Sequence, residues 1–402
     1  MNVLIVSPCV NLPVPAVQGG AVSTLIEYLV KENEVEKKMN LTVLSIFNED
    51  AQKKAKEYPN TKFEFIHPMK ILDQCDHAVD TVLALGRKSE KAHQYFRKQY
   101  SLWYISRYMK QHDFDKVIFQ NSGYLLNVLK DDSLAEKYKG KLYYHLHNDI
   151  PNNISVKAVC QCKLLLISEY LKKHINEVCQ KDISEQCRIV KNGFDCDRFA
   201  RQLSESERNE LKKELCIDQN KKIVMFAGRI TAAKGIAELT QAIELLNRDD
   251  VILLVVGAHN FGTGQSSSFQ KEMEQKFASL GEKVRFTGYI PYDEIWKYYQ
   301  LADIAALPSV WEEPAGLTMI EACAAGVPLI TTDSGGIPEY ILRDEAIILE
   351  RTNLEKSLSS AIEEVINHYD DWKKKALRQS HYVQEHYNVR NYYKAFLEAI
   401  NE

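Results

Sequence analysis

Long apolar runs are missing from this chain of 402 residues. The longest, such as residues 251–256, are strand-sized and fall far short of the roughly 20 residues a spanning helix needs. No membrane crossing is expected. An excess of one charge is missing as well: 51 basic residues against 55 acidic ones leave a net charge of −4. That balance argues against a surface built to neutralise nucleic-acid phosphates. Ahead of Val3-Leu4-Ile5-Val6 there is no cationic leader or cleavage site, so a cytoplasmic protein is expected. The nine cysteines are odd in number and scattered. Cys160 and Cys162 lack the second pair or the histidines of a zinc site, and reduced, mostly buried thiols are the plainer reading. A Walker phosphate loop is absent. Gly262-Thr263-Gly264 lacks the third glycine of a dinucleotide fingerprint and does not directly follow a strand. Asp113-Phe114-Asp115 and Asp195-Cys196-Asp197 match a metal motif that arises easily by chance, and no metal is assigned. Short-period repeats and low-complexity tracts are absent, which removes solenoids and propellers.

What the chain does contain is an alternation of short Val/Ile/Leu/Tyr-rich runs with longer amphipathic segments, the pattern of parallel sheets covered by crossover helices. The class is α/β. Strands are expected at 2–7, 41–47, 62–66, 116–119, 141–147, 164–168 and 187–191. A second series follows at 223–227, 251–256, 284–286, 304–307, 329–332 and 346–349. Between the series, residues 201–222 are dense in charge with few apolar positions, and we read the domain boundary there. This gives residues 1–200, residues 201–375 and a helical tail, 376–402. The helical stretch from 354 onward carries Trp372, Tyr382, Tyr387, Tyr392, Tyr393 and Phe396, an aromatic surface that has to be buried. The Gly/Ser-rich piece 262–268 reads as a loop.

The densest chemical signal is Trp311-Glu312-Glu313-Pro314-Ala315-Gly316-Leu317-Thr318-Met319-Ile320-Glu321. It reads as strand, loop and helix, with the helix opening near Leu317 and ending at Gly326. Backbone N–H groups of Gly316, Leu317 and Thr318 then lack internal partners and make a phosphate site. Carboxylates at Glu313 and Glu321 can accept from sugar hydroxyls, or be ordinary loop and helix-start charges. In the same half, Arg229 and Lys234 follow the first strand, where ligands collect in an open parallel sheet. Arg229 can grip phosphate bidentately and Lys234 adds a compact charge. Asp333-Ser334-Gly335-Gly336 is a further glycine turn, leading to Glu339. In the first half, Gly19-Gly20 follows strand one and opens a helix, where backbone approaches a ligand closely.

The E-x7-E spacing of Glu313 and Glu321, taken with Arg229 and Lys234, resembles the donor site of glycosyltransferase family 4. Supporting pieces are Gly19-Gly20, His147-Asn148, Val190 through Phe199 and Phe286-Thr287-Gly288-Tyr289-Ile290-Pro291. The resemblance implies a GT-B fold: two Rossmann-like α/β domains facing across a cleft, with C-terminal helices crossing back to the first. It implies that Arg229 and Lys234 stabilise a departing nucleoside diphosphate, that Glu321 holds the ribose and that Glu313 binds the transferred sugar. Amides of Gly316 to Thr318 would hold phosphate, backbone near Tyr289 and Ile290 would meet the base, and Gly20 would lie against the donor. His147 would contact the sugar from the first domain, although the two-residue strand period puts His145 on the same face. Transfer in this family retains anomeric configuration and needs no metal or other cofactor. Two departures are Ala315, where an aromatic residue is common, and Gly257 to Gly262 in place of a tighter turn.

The expected protein is a hexosyltransferase moving sugar from a nucleotide donor, with uridine the expected base, to a hydroxyl of a glycan or lipid-linked glycan in surface polysaccharide synthesis. The alternatives are a non-catalytic sugar-nucleotide-binding protein and a same-fold epimerase or phosphorylase. Residues 87–110 hold seven basic residues and one acid among aromatics. They read either as a helix resting on an anionic membrane or, more plainly, as a core-packed helix with a solvated basic face.

Overall fold

The computed structural model describes the chain except for residues 9–11, 18–19, 68, 70, 73, 77, 79–93, 150–153 and 259–266. Gly19, the start of the basic segment and most of the Gly/Ser-rich loop therefore lie outside the described residues.

Two compact units form, Met1–Gly193 with Val389–Glu402, and Phe194–Asn388. The first holds β1 (Asn2–Val6), β2 (Asn40–Ile46), β3 (Thr61–Ile66), β4 (Lys116–Gln120), β5 (Leu142–Leu146), β6 (Lys163–Leu166) and β7 (Cys187–Ile189). The second holds β8 (Lys222–Ala227), β9 (Val251–Val256), β10 (Val284–Gly288), β11 (Ile304–Leu307), β12 (Leu329–Thr332) and β13 (Ile347–Leu349). Strand order is 3-2-1-4-5-6-7 in one sheet and 10-9-8-11-12-13 in the other, with every pairing parallel. All thirteen expected strands are present. The central ones, such as Val251–Val256, are buried at every position. Helices on both faces of a parallel sheet leave no wet side, which selects continuous apolar runs over alternation.

Each sheet reverses its winding once, between β1 and β4 and between β8 and β11. Loops leaving neighbouring strands there diverge to opposite faces and open a crevice at the carboxyl ends. Arg229, Lys234 and Glu313 all leave the second reversal.

The charge-dense segment 201–222 lies inside the second unit. Ser204 and Glu207 form a reciprocal capping box for the helix Glu205–Glu214. Its cations bind carbonyls: Arg208 donates to Gln300 O at 2.6 Å and the buried Lys212 to Gln219 O at 2.8 Å. High charge density signalled a linker in the sequence, but these charges are spent on docking the helix. The helix Tyr369–His386 also stays with the second unit, packed on Leu317–Ala324. Only Val389–Asn401 belongs to the first unit, where Tyr143 donates to Ile400 O at 3.0 Å and Tyr393 to Asn33 Oδ1 at 2.8 Å.

Candidate active site

In the second unit, β8 ends at Ala227 and Arg229 follows, exposed. It makes no ion pair among the described residues, so its guanidinium is available to an anion. A single 3-10 turn, Ala232–Lys234, then carries Lys234 toward the end of β11. Gly235 adopts φ 71°, and a Cβ there would lie 1.9 Å from Pro308 O. Only glycine permits that approach, and it brings Lys234 to Glu313.

Lys234 Nζ stands 2.7 Å from both oxygens of Glu313. Glu313 Oε2 also accepts from Trp311 Nε1 at 2.5 Å and Ser309 Oγ at 3.3 Å. Lys234 lies 5.6 Å from the centre of the Trp311 ring, a cation–π contact. An ammonium has three N–H donors, and two of them are engaged by Glu313. One remains. Oε1 takes a single donor and keeps a free lone pair. The loop is held from below by the glycine turn after β12: Gly336 N donates to Glu313 O at 2.7 Å and Gly335 N to Glu312 Oε2 at 2.7 Å. Arg351 holds the other Glu312 oxygen at 2.6 Å.

Gly316, at φ 74°, opens the helix Leu317–Ala324, and no side chain caps it. The half-buried first turn at Leu317 and Thr318 therefore presents polarised amides.

Glu321, one turn further, is buried. The Tyr299 hydroxyl sits 3.0 Å from its Oε2 and 3.1 Å from Thr318 O. Burial pushes the carboxyl up to about 7, against hydrogen bonds from Tyr299 and Tyr292 and the positive charge of Arg198. One phenol hydrogen cannot satisfy both oxygens fully. When Glu321 is protonated it donates to Tyr299, and Tyr299 donates to Thr318 O, so every oxygen is served. Phe199 packs on Tyr292 and Tyr299 at 5.9 and 5.7 Å, and Arg198 lies 5.2 Å from the Tyr292 ring centre. Sequence reasoning did not single out Tyr292, Tyr299 or Arg198 as neighbours of Glu321. The only signal was the run from Val190 to Phe199, whose Asp195 caps the turn Cys196–Phe199 and thereby places Arg198 and Phe199. Tyr289, 40% exposed, and the half-buried Ile290 follow the edge strand β10, two strands from β8.

In the first unit, the buried His147 follows β5. Its Nδ1 is 3.2 Å from Asn192 Oδ1 and its Nε2 3.0 Å from Gln120 Oε1. Burial lowers its pKa to about 4, with Asn192 opposing, so the ring is neutral and can donate only once. Gln120 Nε2 is buried without a partner among the described residues. Turning that amide over gives a consistent network: Nδ1–H donates to Asn192, and Gln120 donates to Nε2. His145 lies against His147 with centroids 4.0 Å apart and rings tilted by 42°, fully buried, and neither of its ring nitrogens is bonded among the described residues. The two are thus distinguished by partners, which the strand period alone leaves open. Gly20 starts the helix Ala21–Glu36 at φ 106°. The segment before it is anchored by the buried Glu27, which accepts from Ala16 N at 2.9 Å and Tyr58 at 2.7 Å.

Three of the four Asp-x-Asp carboxylates make contacts within the fold. Asp113 pairs with Lys137 at 3.0 Å, Asp115 accepts from Asn2 N at 2.7 Å, and Asp195 is the cap described above. Among the described residues, no group of three or more His, Cys, Asp or Glu side chains could hold a metal.

Comparison with known proteins agrees with this fold. Residues 207–385 match the family model described as glycosyl transferases group 1. The chain is 29% identical over 183 residues to an uncharacterized glycosyltransferase, MJ1607, of Methanocaldococcus jannaschii, covering 45% of this chain and 44% of that protein. It is 29% identical over 209 residues to the lipopolysaccharide 1,2-N-acetylglucosaminetransferase of Salmonella typhimurium, covering 50% and 51%. The chain thus spans about half the length of these curated relatives. In fold it is similar to Anabaena Alr3699/HepE, crystallised with UDP and glucose, at a TM-score of 0.73 and 18% identity over 99% of both chains. The architecture is that of GT-B glycosyltransferases, and the second unit carries the matched domain. The chain is thus similar to glycosyltransferases, in sequence over residues 207–385 and in fold over its whole length.

Proposed function

We propose that this chain is a retaining hexosyltransferase of the family 4 type, taking sugar from a UDP-sugar and passing it to a hydroxyl of a glycan or lipid-linked glycan in surface polysaccharide synthesis. The observation that carries the reading is the Lys234–Glu313 pair at the β8/β11 reversal, with Arg229 exposed on the same loop. Transfer breaks the bond between the anomeric carbon and the diphosphate oxygen, and negative charge collects on that oxygen. Arg229, the spare N–H of Lys234 and the amides of Gly316 to Thr318 supply donors where the charge develops. Glu313 Oε1 accepts from a sugar hydroxyl, and Glu321 from the ribose. Tyr289 and Ile290 meet the base. The acceptor's proton passes to the departing phosphate, and no metal takes part. For Gly20 and His147 the assignment rests on the resemblance. The UDP and glucose found with the Anabaena protein and the lipopolysaccharide acceptor in the Salmonella protein's name support the donor and acceptor classes.

A thermal-shift panel of uridine, guanosine and adenosine diphosphates and their sugars, run in EDTA, tests it. A ligand at 100 times its Kd stabilises by about 2.7 kcal/mol. We expect a uridine-selective shift that persists in EDTA and shrinks in Arg229→Ala, followed by release of UDP with an added glycan. A shift without any turnover would favour a non-catalytic binding protein, and no shift with any nucleotide would remove the reading.

A further inference from the structure

One concavity of the first unit plays no part in the reading above. A cavity of about 450 Å³ lies between the edge strand β3 and the helix Tyr95–Gln111, within the roughly 300–1,000 Å³ span of small-ligand pockets. It flanks the sheet, away from the carboxyl ends where donor-type ligands collect. The core stripe of that helix is Ser101, Ile105, Tyr108 and Met109, all buried. Beside it runs a second stripe at three- and four-residue spacing: Tyr100, Trp103, Tyr104, Arg107 and Gln111. This second stripe lines the cavity together with Tyr108 and His112.

Trp103 is 53% exposed and stacks on Tyr100, with centroids 5.8 Å apart and planes 22° from parallel. Arg107 lies 5.6 Å from the Trp103 ring centre. Opposite, Lys62 and Glu64 come from β3, two residues apart and so on one face. The Tyr104 hydroxyl donates to Glu64 Oε1 at 2.5 Å, which fixes the carboxylate in the wall. Its second oxygen has no hydrogen-bond partner among the described residues.

We propose that this cavity binds a saccharide unit of a glycan. A pyranose ring has an apolar C–H face and a rim of hydroxyls, each both donor and acceptor. The stacked Tyr100 and Trp103 offer the flat face at low cost in side-chain entropy. Glu64 accepts, Arg107 and Lys62 donate, and Gln111 does both. Other occupants fit worse. An acyl chain would strip water from Lys62 and Glu64 without replacing it, and a phosphate would meet the Glu64 carboxylate.

The test uses the full chain on an array of neutral, N-acetylated and uronic-acid oligosaccharides. We expect retention by at least one class, about tenfold weaker binding in Trp103→Ala and several-fold weaker binding in Glu64→Gln. No retention by the wild type, or equal retention by both cavity variants, overturns the proposal. Sedimentation with phosphatidylglycerol vesicles is run alongside. Vesicle binding lost in Trp103→Ala while glycan retention is unchanged also overturns it, in favour of a lipid surface. The UDP-induced melting shift reports the donor site separately. An intact shift without glycan retention sinks this proposal alone, and retention without the shift sinks only the transfer reading.

Discussion

Four donor contacts converge on the Glu313 carboxylate, and this makes its loss different in kind from the loss of Arg229. Glu313→Ala leaves Lys234, itself largely buried, without its counter-charge, at a cost on the order of 3 kcal/mol. Arg229 is exposed and unpaired among the described residues, so Arg229→Ala should change stability by less than about 0.5 kcal/mol. It should nonetheless weaken UDP binding about tenfold or more, the size of a lost charge-assisted hydrogen bond. Urea melts and UDP titrations of both variants check this pairing of effects. Equal destabilisation would show that Arg229 has a structural partner.

Glu321 gives a second residue-scale prediction. Its folded pKa of about 7 lies above the ordinary value of 4.5, so between those values the folded state binds more protons than the unfolded one. Its contribution is complete below about pH 4.5, falls as pH rises through 7, and is then constant, a span of roughly 3 kcal/mol. His147 works in the opposite direction: its lowered pKa costs stability as pH falls from 6.5 toward 4. The informative quantity is therefore the difference between wild type and Glu321→Gln. Wild type should lose stability relative to the variant from pH 5 to 8, and parallel pH profiles would refute the buried acid.

At the scale of elements, the site is a meeting of three loops that leave β8, β11 and β12. Glycines set how closely they meet. A Cβ on Gly335, which has φ 52°, would lie 2.3 Å from Glu313 O, so Gly335→Ala should displace the Glu313 loop at about 1–3 kcal/mol and weaken donor binding as well. Gly140 also has positive φ, at 75°, but nothing within 4 Å of its Cβ position. Gly140→Ala should cost about 1 kcal/mol and leave donor binding alone. If the two variants matched in both measurements, backbone conformation and not crowding would explain the glycine turn.

For the whole molecule, the division into two units has a measurable consequence. The last helix buries Tyr392, Tyr393, Phe396 and Ile400 in the first unit. Phe396→Ala should cost about 3–5 kcal/mol, a large share of the roughly 5–15 kcal/mol that holds a domain together. Hydrogen exchange should speed up in β4 and β5 and stay unchanged in β8 and β9. Uniform acceleration would mean that the units unfold as one.

By itself the sequence determined the α/β class, all thirteen strands and the residues that leave the second reversal, because burial on both sheet faces writes each strand as an apolar run. That Arg229, Lys234 and Glu313 stand on loops leaving β8 and β11 was legible because glycine and proline mark where each strand run stops. Only the tertiary structure decided where the chain passes from one unit to the other, since a capped, docked helix and a charged linker share one composition. It also decided that Lys234 pairs with Glu313, that Glu321 lies among Tyr292, Tyr299 and Arg198, and that among the described residues His147 is bonded while His145 is not. Those contacts join residues from 22 to 123 positions apart, such as Tyr299 and Arg198 with Glu321. Distances of that kind are set by sheet order, which no local pattern encodes.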